Sequence, residues 1–186
     1  MMGQPNSNTP RFTDVDQILQ ALNIRVFEEP FLSVRDEDGY PNLKNPLHLV
    51  VLLIDCDTES SMNGILGFLE NSTGQHLRKT IEALDLIGAT RSADVLRGLW
   101  ELMESHSITW ERLRRDFENH EMHELTSFST LHGGEVDDFT DEVQRRFAGF
   151  NLFFSPNDLE DDYSLLKRYL EPRFDQLFNL MSQYES

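Results

Sequence analysis

Cysteine is almost missing. Cys56 is the only one among 186 residues, so no disulfide can form within the chain and an oxidising, exported setting is not indicated. Its place just after the apolar run Leu49 to Ile54 predicts a buried, reduced thiol. Cationic side chains are scarce as well. Sixteen Lys and Arg stand against thirty-three Asp and Glu, giving a formal net charge of −17 at pH 7. Phosphate binding depends on releasing counterions onto a basic surface, so this balance speaks against direct contact with nucleic acid or an anionic membrane. It favours a basic protein partner, although excess acid also simply keeps a small protein soluble.

Long apolar runs are absent too. None approaches the roughly 20 residues of a membrane span. Met1 to Pro10 is polar and rich in Pro, Asn and Ser, without the basic start and apolar stretch of a signal peptide. A cytoplasmic protein is expected, with residues 1–12 as a disordered tail. Catalytic signatures are also lacking: there is no P-loop, no dinucleotide-type glycine turn and no G-x-S-x-G. A lone cysteine in an apolar run is more often core than nucleophile. The expectation is a non-enzymatic chain with no catalytic residue and no cofactor.

What is present reads as helix. Apolar residues make up 39% of the chain, enough for a core, and the length suits one ordinary domain. No stretch alternates with the period of a strand, and no long repeat appears. Residues 13–186 are expected to form a single all-α domain, a bundle of about seven to eight helices. Thr13-Asp14-Val15-Asp16 reads as a capping box before Val15, Ile18, Leu19 and Leu22. Glu28 to Asn45, with Pro30, Asp36, Asp38, Gly39 and Pro41, reads as a long connector. Asn45-Pro46 gives an N-cap and an N1 proline for a central helix through Leu47 to Ile54, buried nearly all round. A turn at Ser60 to Gly64, a short helix to Asn71 and a capping-box-like start at Ser72 to Gln75 follow. The next helix ends at Gly88. Further helices carry Ala93, Leu96, Leu99 and Met103, then Leu113 with Phe117, then Val136, Phe139, Val143 and Phe147 after the Gly133-Gly134 break. Ser155-Pro156 opens the last one, which Pro172 should kink unless a break falls there.

Three groups of side chains are candidates for chemistry. His120 and His123 share a face if their segment is helical, but H-E-x-x-H would need a second histidine at 124, and no third ligand is assigned, so metal is not expected. Asp55, Asp57 and Glu59 read as acids at a helix end, inviting a basic neighbour such as Arg78 or Lys79. The acidic runs remain: Glu135, Asp137, Asp138, Asp141 and Glu142 on one short helix, and Asp158, Glu160, Asp161 and Asp162 at the start of the next. Asp137/Asp141 and Asp138/Glu142 stand at i, i+4, about 6 Å apart along a helix axis, a spacing similar to that of neighbouring phosphates on one DNA strand. The plainer reading is that acids suit the first turn of any helix.

Ser61-Met62-Asn63-Gly64-Ile65-Leu66-Gly67-Phe68-Leu69-Glu70-Asn71-Ser72-Thr73-Gly74, followed by Ile81 to Ala89, resembles the signature of the bacterial DNA-mimic protein family first described from Neisseria. That signature runs asparagine-glycine-glycine-phenylalanine, two aromatic positions, asparagine-serine-x-glycine, then alanine-leucine-x-x-isoleucine-glycine-alanine. Gly64, Phe68, Asn71, Ser72, Gly74, Ala83, Leu84, Ile87, Gly88 and Ala89 agree with it. Asn63 and Ile65 stand where glycine and phenylalanine are usual, and Leu69 and Glu70 replace aromatic residues. The family-like core covers about 45–105. The resemblance implies an all-α, acidic homodimer that occupies the DNA-binding surface of a transcription factor or nucleoid protein. The partner expected here is thus a basic DNA-binding protein, met by the two acidic runs. The rival readings are an immunity-type or scaffolding interaction module, and a metal protein or hydrolase built on His120 and His123.

Overall fold

A computed structural model describes residues 12–120, 127–153 and 161–184. Among these residues it contains nine α-helices and no strand: α1 (Val15–Arg25), α2 (Pro46–Glu70), α3 (Leu77–Ile87), α4 (Thr90–Ser105), α5 (Trp110–Glu118), α6 (Phe128–His132), α7 (Asp137–Phe147), α8 (Asp162–Leu170) and α9 (Phe174–Tyr184). The all-α reading holds, with slightly more helices than expected because α6 is a separate short one and the C-terminal stretch divides in two. The expected tail lies outside the described residues except for Phe12, which is buried.

The helix starts follow local chemistry. Asp14 rather than Thr13 caps α1: its carboxylate accepts the Gln17 amide at 2.9 Å, while Gln17 Oε1 accepts the Thr13 amide at 3.0 Å. The capping box therefore sits one residue later than expected. Asn45 Oδ1 accepts the amides of Leu47 and His48, and Pro46 fills the first turn without needing a donor. From Pro46 to Asp57 every residue of α2 is buried. Such a helix can exist only inside a sheath, which α1, α3, α5, α7 and α9 provide.

The expected turn at Ser60 to Gly64 is narrower than its composition suggests. Helical backbone continues to Asn63, and the break is Gly64 alone, at φ 69°, ψ 176°, a region in which only glycine is comfortable. Glu59 steadies it, accepting from the side-chain amides of both Asn63 and Asn71. Ser72–His76 forms a 3-10 turn with no side-chain cap, in place of the expected capping box. A Cβ on Gly74 would fall 2.7 Å from the Phe68 carbonyl oxygen and 2.6 Å from that of Leu69, so the turn can pack this closely on α2 only with glycine there. Gly88, at φ 87°, ends α3, and the Ala89 amide returns to the Leu84 carbonyl at 2.8 Å.

Beyond α4, Trp110 anchors α5 by donating its indole N–H to the Asn71 carbonyl at 3.0 Å. Leu113 is buried as expected, but Phe117 stays 38% exposed. α7 buries Phe139, Thr140, Val143 and Phe147. Pro172 falls in a 3-10 turn, Glu171–Arg173, that separates α8 from α9, so of the two expected outcomes, kink or break, it is the break. The predicted Ser155-Pro156 start lies outside the described residues; α8 begins instead behind the cap Asp161. The buried apolar side chains, Cys56 among them, form one cluster.

Candidate functional site

Burial decides which acids are surface and which are scaffold. In α7 the apolar positions face inward, which turns Asp137, Asp138 and Asp141 out to solvent. These three carboxylates have no hydrogen bond or ion pair among the described residues. Their neighbours in the run differ. Glu135, although 70% exposed, is gripped by the Arg112 guanidinium. Glu142 lies 3.1 Å from Arg146 and 3.5 Å from Arg145. Asp137 and Asp138 occupy the first turn of α7, where the helix dipole favours them; Asp141 lies beyond it.

Of the second acidic run, Asp161 and Asp162 are among the described residues. Asp158 and Glu160 lie outside the described residues. Asp161 is the N-cap of α8, its Oδ1 accepting the Ser164 amide at 2.7 Å, and that bonding holds its carboxyl below the ordinary carboxylate range. Asp162 is buried and takes the Ser92 hydroxyl, with burial raising its carboxyl above that range. Asp161 and Asp162 thus each take a hydrogen bond within the fold.

The acids of α2 do not solvate a helix end either. Asp55 is paired with Arg35, not with Arg78 or Lys79: Arg35 Nε donates to Oδ2 at 2.9 Å and a terminal nitrogen donates to Oδ1. Arg78 instead lies 3.7 Å from Glu104, and Lys79 pairs with Glu82. Asp57 Oδ1 accepts the backbone amides of Leu152 and Phe153. Desolvation raises both aspartates above their ordinary value, against the pull of Arg35 on the one and of the two amides on the other. The connector is tied down a second time by His48. Its Nδ1 accepts the Asn42 amide at 3.2 Å, which places the ring proton on Nε2 for donation to Glu37 at 2.9 Å.

Of the histidine pair, only His120 lies among the described residues. α5 ends at Glu118, so His120 stands past the helix, and His123 lies outside the described residues. No group of three or more His, Cys, Asp or Glu side chains able to hold a metal occurs among the described residues. His132 is buried between two carboxylates, Asp116 at 3.2 Å and Glu70 at 3.0 Å, which joins α6 to α5 and α2. Burial also pushes the Cys56 thiol up, keeping it protonated and inert. No helix of the described residues is long and apolar enough to cross a membrane.

Further exposed acids lie outside the two runs. Glu28, Glu29, Asp36 and Asp38 are all exposed on the connector between α1 and α2. With Glu37, five acids fall within eleven residues of sequence, a signal obscured by the turn chemistry around them.

Comparison with curated proteins gives no match, and comparison with solved structures gives none. A family model described as DMP19-like protein matches residues 41–173, from the connector to the turn after α8 and well beyond the 45–105 core. With more than half of the chain covered, the chain belongs to the DMP19-like protein family, the DNA-mimic family whose signature Ser61 to Ala89 resembles.

Proposed function

We propose that this chain is a non-enzymatic DNA mimic that covers the DNA-binding surface of a basic DNA-binding protein, such as a transcription factor. The observation that carries the reading is α7: three exposed carboxylates that form no ion pair among the described residues, on a helix held to the core by Phe139, Val143 and Phe147. Asp137 and Asp141 lie one helical step of about 6 Å apart along the axis, close to a phosphate repeat. Glu135 and Glu142 flank them and join the contact only by exchanging Arg112, Arg145 and Arg146 for a partner's cations. Family membership and the net charge of −17 support the same reading. The proposal includes a cytoplasmic homodimer and excludes direct binding to nucleic acid or membrane.

The test is competition. A DNA-binding protein captured from host lysate and identified by mass spectrometry should lose its DNA to the wild-type chain, and moderate salt should release the complex because exposed charge is screened over about 8 Å at physiological ionic strength. The triple variant Asp137→Asn, Asp138→Asn, Asp141→Asn should compete at least tenfold more weakly. Undiminished competition by that variant removes α7 from the contact.

A second reading, an immunity-type or scaffolding module, draws on Ile24, Phe27 and Leu32, which stay 75%, 44% and 42% exposed around the end of α1. A complex that resists salt and is lost on Ile24→Ser would favour it.

A further inference from the structure

Between α1, the middle of α2 and α8 lies a cavity of about 90 Å³. Leu19, Ile54, Phe153, Tyr163 and Leu166 give it largely apolar walls, and one charged side chain faces it, Asp57. A single water needs only about 10–15 Å³, and drug-sized pockets start near about 300 Å³. The space therefore suits a ligand of a few heavy atoms.

Asp57 is anomalous in this setting. It is 8% exposed and forms no ion pair among the described residues. Its Oδ1 accepts the amides of Leu152 and Phe153 at 3.2 and 3.1 Å. Oδ2 accepts nothing among the described residues, and unlike the partnerless oxygens of Tyr40, Ser60 and Thr73 it is not sealed from solvent. It keeps accessible surface where Asp57 lines the cavity. A carboxylate this deep normally carries a cation or a full set of donors, because burying it without them costs stability. The groups around it do not supply one. Lys167 pairs with Asp16 between α8 and α1, and the Tyr163 hydroxyl gives its proton to Asp16 at 3.3 Å. What Tyr163 and Phe153 add is ring surface, the two meeting edge to face with centroids 6.2 Å apart, of a kind that attracts ammonium groups. An anion would be repelled by Asp57, and a neutral apolar molecule would leave Oδ2 unbonded.

We propose that this cavity binds a small primary alkylammonium ion, its N–H groups donating to Asp57 Oδ2 and its carbon chain lying against Leu19, Ile54 and Leu166. The site shares no residue with the α7 acids and does not depend on mimicry. The experiment is a titration of the full chain, followed by its amide NMR signals at neutral pH and near-physiological salt, with n-butylamine, n-butanol and pentanoate. These carry the same butyl chain on an ammonium, a hydroxyl and a carboxylate. The amine should saturate one site per chain with a Kd at or below about 1 mM, within reach of a ligand of about five heavy atoms. It should move the Leu152 and Phe153 amide signals, since both amides bond the same carboxylate. The alcohol and the carboxylate should leave those signals in place. Asp57→Asn keeps an oxygen for both amides and removes the charge, so it should unfold no earlier than the wild type and bind the amine at least tenfold more weakly. Should that variant not fold, the three head groups on the wild-type chain decide alone. The proposal is overturned if the amine does not saturate, if the alcohol or pentanoate moves the same amides as strongly, or if folded Asp57→Asn binds the amine undiminished.

Discussion

Arg35 meets Asp55 along two parallel lines, Nε to Oδ2 and a terminal nitrogen to Oδ1, and so fastens the α1–α2 connector to the most buried part of α2. Asp55 is 1% exposed and Arg35 19%, so the aspartate depends on this one cation. Removing one partner of a buried pair typically costs about 3–5 kcal/mol, because the other charge stays buried alone. Arg35→Met should therefore lower the free energy of unfolding in urea by that order. Arg35→Met with Asp55→Leu should recover most of the loss, since the isolated charge is gone. If the double variant is no more stable than the single one, the Val26 and Phe31 carbonyls, not Asp55, are what Arg35 chiefly serves.

Asp57 makes the opposite kind of contact, with no cation and two amides. Burial is the largest influence on its carboxyl and raises it above the ordinary 3.8, the Phe153 and Leu152 amides pulling the other way. The folded chain thus holds this proton more tightly than the unfolded one. Its contribution to stability is complete below 3.8 and is lost as pH rises through the folded value. Asp57→Asn keeps an oxygen for both amides and removes the charge. That variant should match or exceed the wild type at pH 8, and its stability should fall less between pH 4.5 and 8. Asp57→Ala leaves two amides without an acceptor and should lose about 1–3 kcal/mol. Denaturant unfolding at several pH values separates the two.

These aspartates mark where the sequence stopped being legible. Apolar spacing revealed α1, α3, α4 and α7, and the Asn45-Pro46 pair revealed α2, because each signal is local. The partner of Asp55 is twenty residues upstream and that of Asp57 ninety-five downstream. Nothing in local spacing distinguishes Arg35 from Arg78 or Lys79, which lie at comparable distances along the chain, and the expected pairing with the latter two is the wrong one. The same holds for Asp162, which reads as one more acid in a run until Ser92 closes on it from α4. The α7 acids were legible as exposed because Phe139, Val143 and Phe147 fix which side of the helix faces in. Whether arginines neutralise them was not, since Arg112 reaches Glu135 from another helix.

The signature glycines divide by mechanism, which the sequence also hides. At Gly64 the obstacle is the backbone: φ is 69° with open space around the missing side chain. At Gly74 it is contact, with two carbonyl oxygens inside 3.0 Å of an added Cβ. Gly64→Ala should cost about 1–3 kcal/mol as local strain without disturbing neighbours. Gly74→Ala must push the Ser72–His76 turn off α2 and stretch the Trp110 bond to Asn71. Tryptophan fluorescence should therefore shift in Gly74→Ala and not in Gly64→Ala, although both lower the unfolding midpoint. An unshifted spectrum in a destabilised Gly74→Ala would mean that the turn yields within itself.

Asp137 and Asp141 allow structural and binding roles to be separated on one helix. Asp137 is in the first turn of α7, where a carboxylate gains about 0.3–1 kcal/mol from the helix dipole. Asp141 is one turn further on, beyond that benefit, and its like-charged neighbour at i, i+4 costs about 0.2–0.5 kcal/mol. Asp137→Asn should thus lower the thermal midpoint slightly, whereas Asp141→Asn should leave it unchanged or raise it. If the α7 acids meet a basic partner, Asp141→Asn should still weaken that complex. A carboxylate that slightly destabilises its own helix yet strengthens a complex is explained by the partner alone. Should Asp141→Asn destabilise the chain as much as Asp137→Asn does, Asp141 is a structural residue and leaves the proposed contact.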